Sequence, residues 1–235
     1  MKIRIICTCL LSLVGFFLSP ITSRCLVAAE LYFIDAHSQV DHNIENLDLI
    51  IRRMDTCGVY LTILSTRSGR QQAEIVAFAQ QHSGRIVPAI RTKSEAYNKN
   101  LSKYYKNMRE QIDSGRFKAM AEILLYHAQK GDKAPEVVVY PDDKRVLFAL
   151  SESIAKGWPF VVHIEFQALR GKERKRFMVS LAQMLKTHPT HPFALNHMGQ
   201  LGATEVARLV KNHKNIYFLT AHTNPVIIRH SNQPW

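Results

Sequence analysis

Short apolar segments alternate along this chain with longer amphipathic segments, and this alternation constrains the fold more than any other feature. The short segments are rich in β-branched and aromatic residues, a composition typical of strands that helices cover on both faces. Seven of them are predicted strands, at residues 31–37, 58–65, 85–90, 117–125, 159–165, 192–197 and 215–220. The pattern therefore predicts an α/β protein with parallel strands.

Apolar residues recur at three- and four-residue spacing between these strands, as they do in helices that bury one face. The spacing predicts helices at residues 46–55, 70–81, 144–156, 172–186 and 204–211. The polar region 94–115 is expected to form a helix or an excursion over one rim. Seven β-then-α units in a row fit either an open doubly wound sheet or an incomplete, TIM-barrel-like (β/α)8 barrel.

The first 29 residues are predicted to be a secretory signal peptide, with the barrel domain at residues 30–235. Lys2 and Arg4 precede an unbroken apolar stretch, and small residues follow at a cleavage site. A retained anchor is the alternative, but a bilayer span takes roughly 20 apolar residues, and polar residues interrupt this stretch early. We expect export to the periplasm or the exterior without stable membrane insertion.

The net charge bears on the kind of partner, and the cysteine count bears on disulfide bonds. The formal net charge is +12, and Lys2, Arg4 and Arg24 carry three of these charges, which leaves +9 after the leader. The basic residues are scattered through helical segments without interleaved aromatic residues, which favours solvated helix faces over nucleic-acid binding. Attraction of an anionic substrate, or of nucleic acid or an anionic surface, stays open. Cys57 is the single cysteine after the leader, so an intramolecular disulfide is excluded.

Histidines mark the ends of three predicted strands, at the face where barrel enzymes build their sites. Asp35, His37 and Gln39 alternate in the first strand, so we expect their side chains on one face of the sheet. His163 lies near the end of the fifth strand and His197 ends the sixth. Neutral imidazole is a common zinc ligand, and three protein ligands leave a position for water. The sequence thus predicts a metal site at this end of the barrel.

Four motifs resemble the amidohydrolase-related family of barrel hydrolases and decarboxylases. They are FIDAHSQ at 33–39, HIE at 163–165, NHMG at 196–199 and NIYF at 215–218, and their order and spacing agree with one another. The similarity extends over nearly the whole chain after the leader. The positions of the histidines at the strand ends favour the barrel over the open sheet, and the resemblance also implies the barrel.

The resemblance also implies a divalent metal cofactor, with zinc as the expected ion. By position, His37 and His163 take the role of metal ligands, and Gln39 stands where the family has a second strand-1 histidine. The amide oxygen of Gln39 is a poorer zinc ligand than an imidazole nitrogen. His197 takes the role of the histidine that polarises the substrate or activates water.

Three further residues complete the predicted site. Glu122, near the end of the fourth strand, is expected to bind the metal, and Arg91, just after the third, to contact the substrate. A partly buried ion pair is the alternative for both. His222, in the final loop, is expected to approach the substrate from the rim, with a turn before Pro225 as the alternative.

The implied activity is hydrolysis of a C–N, ester or lactone bond, or nonoxidative decarboxylation, of a small molecule. A metal would supply hydroxide by lowering the pKa of a coordinated water from 15.7 to about 7, or polarise a substrate oxygen. A metal-free barrel that only binds a ligand is the alternative that Gln39 favours. The sequence ends after the seventh strand, so we expect a fragment or shortened product of a longer enzyme, whose exposed strand edges favour pairing in a homo-oligomer.

Overall fold

Each of the seven predicted strand segments overlaps a β-strand in the computed structural model, which describes residues 32–129 and 136–220. The fourth segment holds two strands, separated by Ala121 and Glu122. The strands are β1 (Phe33–Val40), β2 (Val59–Thr66), β3 (Ile86–Ile90), β4 (Ala119–Met120), β5 (Ile123–His127), β6 (Val137–Val138), β7 (Phe160–Ile164), β8 (Phe193–Leu195) and β9 (Ile216–Phe218). Short β6 has no counterpart among the predicted strands.

The strands form a curled, parallel half-barrel. One sheet has the order β1-β2-β3-β4, and the other has β6-β5-β7-β8-β9. The backbone N–H of Ala121 donates to the carbonyl of Ile90 at 3.1 Å, which continues the pairing beyond β4. All pairs are parallel except β6 with β5, which is antiparallel. The predicted incomplete barrel is confirmed for the described residues, with β6 as the departure from parallel pairing.

Helices lie where the apolar spacing predicts them. They are α1 (Asp48–Thr56), α2 (Gln72–Gln81), α3 (Glu95–Lys99), α4 (Leu101–Asp113), α5 (Lys144–Lys156), α6 (Gly171–Thr187) and α7 (Ala203–Asn212). The polar region 94–115 is thus largely helical. The boundaries of α5 are sharp because both ends are capped. The Asp143 side chain accepts from the backbone N–H of Arg145, and Gly157 ends the helix with φ of +67°.

The core lies between the sheet and its helices. Phe160 on β7, Phe193 on β8 and Phe177 on α6 are each at most 1% exposed and belong to one apolar cluster. Burying a side chain of this size stabilises the fold by roughly 1.5–3 kcal/mol. Because the strand ends are fixed by this packing, the polar residues that follow the strands are held at one edge of the sheet.

Two groups of predictions fall outside the described residues. The leader at 1–29 and His222 belong to parts of the chain that the structure does not describe, so the signal peptide, the export and the role of His222 stay predictions. Within the described ranges, no helix is both long and apolar enough to cross a bilayer.

Candidate metal centre

Glu122 is the buried carboxylate around which the predicted residues gather. It lies between β4 and β5 and is 2% exposed. Its Oε1 atom faces His37 Nε2 at 3.4 Å and accepts a hydrogen bond from the Lys93 ammonium. Its Oε2 atom lies 2.9 Å from His163 Nδ1 and accepts from the Asn196 amide. The two oxygens therefore serve two separate groups of donors.

These donors determine the charge of Glu122. Burial alone would raise its pKa, but hydrogen bonds from His163 and His37 and the positive charge of Lys93 hold the pKa well below the usual range. Burial also opposes protonation of His163, yet its contacts with Glu122 and Glu165 raise the pKa of His163. The centre is thus an ionised carboxylate surrounded by hydrogen-bond donors.

His37 reaches the centre through an irregularity in β1. Asp35 pairs with Thr62 and Ser38 with Leu64, so three residue steps on β1 match two on β2. This bulge breaks the strict alternation on which the sequence argument relied. The Asp35 carboxylate accepts from the backbone N–H of His37 at 3.1 Å and from the Ser38 hydroxyl, and Gln39 lines the neighbouring cavity.

His163 and His197 lie side by side at the ends of β7 and β8. Their ring centroids are 4.9 Å apart and the rings are nearly perpendicular. His163 is 4% exposed. His37, His163 and His197 therefore converge on Glu122, as the positions of the three strand ends predict.

The backbone at His197 has an uncommon conformation. His197, Met198, Gly199 and Gln200 all have positive φ, at 51°, 50°, 64° and 52°. Each non-glycine residue in this region costs about 1–2 kcal/mol. The turn is held by Met198 N–H donating to the Leu219 carbonyl at 2.9 Å and by the Gly199 carbonyl accepting from Phe166 N–H at 3.0 Å. Strain of this kind persists where surrounding contacts fix the geometry. Here these two hydrogen bonds fix the backbone position of His197.

Two groups of candidate metal ligands occur among the described residues. One comprises Glu122, His163 and His197, and the other His127, His163 and Glu165, with the ligand atoms of each group within 4.8 Å of one another. His163 belongs to both groups. Its Nε2 atom is buried and makes no hydrogen bond with any residue of the described ranges. Imidazole and carboxylate donors are those that zinc takes in hydrolytic sites, so the residues present fit a divalent metal.

Sequence reasoning missed His127 and Lys93. The fourth predicted strand stops at Leu125, whereas β5 continues to His127. This histidine therefore lies outside the predicted strand, although it ends the observed one. The signal was present, because His127 ends an apolar strand as the other site histidines do. Lys93 follows β3 closely after Arg91 and gave no separate signal.

A cavity of about 420 Å³ opens beside the centre, at the carboxyl ends of the first strands. Arg91, the predicted substrate contact, lines it, and its Nε donates to the Lys93 carbonyl at 2.8 Å. Burial lowers the pKa of Arg91, although a guanidinium remains charged in proteins. The lining contains four cationic residues and the acidic Glu95, which pairs with Lys99. The cationic residues are Arg67, Arg91, Lys93 and Lys99, and the hydroxyl residues are Ser65, Thr66, Ser68, Thr92, Ser94 and Tyr97. Such a lining favours an anionic ligand.

Several solved structures have a similar fold. A Staphylococcus aureus protein assigned as an amidohydrolase matches with a TM-score of 0.50 and 14% identity, over 81% of this chain and 79% of that one. A 2,6-dihydroxybenzoate decarboxylase complexed with 2,6-dihydroxybenzoate matches with a TM-score of 0.50 and 14% identity, over 80% and 79%. The 4-oxalomesaconate hydratase of Rhodopseudomonas palustris matches with a TM-score of 0.50 and 14% identity, over 74% and 59%.

No family model matches the chain, and no curated protein does. At 14% identity, the structural likeness shows the fold alone. The fold that the sequence motifs imply is confirmed at that level, since these solved structures have a similar architecture.

Proposed function

We propose that this protein is a metal-dependent hydrolase or decarboxylase that acts on a small anionic molecule. One observation carries the proposal: His163 belongs to both groups of candidate ligands, and its neighbour His127 lines a cavity that contains several cationic side chains. Zinc is the ion that the donors favour. When bound, a divalent metal would activate water or polarise a substrate oxygen.

The chain's own residues supply the remaining functions. Arg91 and Lys93 would bind the anionic group of the substrate, since guanidinium and ammonium groups form charge-assisted hydrogen bonds with carboxylates. His197 would move the proton, and the strained turn holds its ring against His163. The buried Glu122 would keep the imidazoles of His37 and His163 oriented through its two oxygens.

Activity measurements test the proposal. The full chain is assayed with carboxylated lactones for ring opening and with hydroxybenzoates for release of carbon dioxide. We expect turnover that chelation abolishes and that one equivalent of zinc restores. His163→Ala should not recover with zinc, whereas His213→Ala, which removes an imidazole at the opposite end of the barrel, should recover fully. Turnover that chelation leaves unchanged would overturn the metal dependence.

One observation favours the second candidate, a metal-free barrel that only binds its ligand. The Lys93 ammonium already neutralises Glu122, so this carboxylate needs no metal for charge balance. Calorimetric titration of the purified full chain, with and without zinc, separates the two candidates. The binder should hold an anion such as 2,6-dihydroxybenzoate equally well in both conditions.

A further inference from the structure

The Nε2 side of His163 faces a group of ligand atoms to which the resemblance gives no role. His127 ends β5 and Glu165 directly follows β7, and each places a ligand atom within 4.8 Å of the other and of His163. We propose that the metal ion of the proposed function, on which this inference rests, is held by His127, His163 and Glu165, and not at His37 and Gln39.

The two nitrogens of His163 have different environments. Nδ1 lies 2.9 Å from Glu122 Oε2, and a carboxylate accepts, so in the neutral ring the proton belongs on Nδ1 and the lone pair on Nε2. Nε2 lies 3.4 Å from Glu165 Oε1. With metal–ligand distances of about 2.0–2.1 Å, two ligands of a tetrahedral ion are about 3.4 Å apart. His163 and Glu165 thus already have the separation that a shared ion requires.

Glu165 is held in this orientation by the backbone. Its Oε2 atom accepts from the N–H of Ala128 at 2.9 Å, and the residue is 2% exposed. Because Ala128 follows His127 directly, the same chain segment positions two of the three ligands. Two imidazoles and one carboxylate form a set that binds zinc in hydrolases and Fe²⁺ in other enzymes, which makes a divalent transition metal the expected ion.

Glu122 then acts as a positioning residue behind the ligand. Histidines that bind metals usually donate their other N–H to a carboxylate, as His163 does to Glu122. The Lys93 ammonium meets the Oε1 atom that also faces His37. A divalent ion between His37 and Glu122 would therefore lie against a positive charge, which opposes binding there.

The position also suits the substrate. His127 lines the cationic cavity and offers a nitrogen to the ligand group. An anionic molecule bound by Arg91 and Lys93 would thus lie next to the ion. Among the described residues, the lining includes His127 and also Gln39, whereas His37 is not part of it.

Zinc affinities of full-chain variants test the inference. Competition titration against a chromophoric chelator is performed on the wild type and on His127→Ala, Glu165→Gln, His37→Ala and His213→Ala. Glu165→Gln keeps an acceptor for Ala128 N–H. We expect His127→Ala and Glu165→Gln each to weaken zinc binding by at least about 100-fold, which exceeds the loss expected for a residue that only hydrogen-bonds to a ligand. His37→Ala should weaken zinc binding by about tenfold or less. The control should match the wild type.

The outcomes distinguish the two proposals. Zinc binding that His37→Ala abolishes and His127→Ala leaves intact overturns the inference and spares the proposed function. A wild type that binds no zinc overturns both. Since a variant that fails to fold also loses zinc, X-ray absorption of the Co²⁺-loaded protein gives a second measurement. Two imidazole ligands are expected in the wild type, and a count that stays at two in folded His127→Ala contradicts the proposal.

Discussion

His163 Nδ1 lies 2.9 Å from Glu122 Oε2, although 41 residues separate the two along the chain. The contact joins β7 to the junction between β4 and β5, and both residues are nearly inaccessible to solvent. It is one of the polar contacts that Glu122, at the junction of the two sheets, makes with residues of both sheets. The charge of Glu122 therefore contributes to the stability of the fold as well as to the site.

Replacing Glu122 tests this contribution. Glu122→Gln keeps the shape but removes the charge that Lys93 and the imidazoles face, and loss of one partner of a buried pair costs about 3 kcal/mol. We expect urea unfolding to show a destabilisation of that size. Glu110→Gln, which removes an exposed partner of Lys106, should change stability by less than about 0.5 kcal/mol. Equal stabilities of the two variants would rule out a structural role for the Glu122 charge.

Gly199 should tolerate no side chain. Its φ is +64°, and an added Cβ would lie 2.6 Å from Leu195 Cδ2. Gly157 has a similar φ of +67° but nothing within 4 Å of an added Cβ. Gly157→Ala should therefore cost about 1 kcal/mol from the backbone alone, and Gly199→Ala roughly 1–3 kcal/mol more because of overpacking. If thermal unfolding gives both variants the same loss, the turn at His197 is looser than described.

His191 should make the fold sensitive to mild acid. It is buried, its Nε2 lies 3.2 Å from the Ser153 hydroxyl, and burial together with neighbouring His188 lowers its pKa. The folded protein favours the neutral ring, so its contribution is complete above the unfolded pKa of about 6.5 and is lost as the pH falls towards the folded pKa.

Unfolding in urea at pH 7.5 and pH 5.5 measures this effect. The wild type should lose more stability between the two pH values than His191→Gln, in which no imidazole titrates at that position. His213→Gln serves as the control and should behave like the wild type. An unchanged pH dependence in His191→Gln would assign the acid sensitivity to other groups.

Arg91 should determine the affinity for anions. It lines the cavity, and losing a charged hydrogen-bond donor to a carboxylate costs about 1.5–3 kcal/mol, which corresponds to a roughly 10- to 150-fold change in affinity. Calorimetric titration with 2,6-dihydroxybenzoate should show this loss in Arg91→Gln. Arg116→Gln, at an exposed position outside the lining, should bind as the wild type does. Equal affinities of the two variants would remove the anion site from this cavity.

The sequence predicts the strands and the convergence of His37, His163 and His197, because buried strands have distinctive composition and parallel strands end at one edge. It does not predict the bulge in β1, since alternation gives no sign of an extra residue there. The left-handed turn at His197 also escapes prediction. Gly199 alone suggests it, while Met198 and Gln200 have positive φ only because neighbouring contacts hold them.

The ligand roles depend on details that sequence periodicity does not contain. The contact of Lys93 with Glu122 depends on how a loop after β3 folds back on the next strand. His127 lies outside the predicted strands because β5 extends two residues beyond the predicted end at Leu125. Both residues determine where we propose the metal to bind, so the partners of His163 could be assigned only from the structure.

Anomalous diffraction at the zinc edge, from crystals of the full chain grown with zinc, tests the central claim most directly. We expect one strong peak about 2.0–2.1 Å from His163 Nε2, with His127 and Glu165 as further ligands. A peak between His37 and Gln39, or no peak near His163, would contradict it.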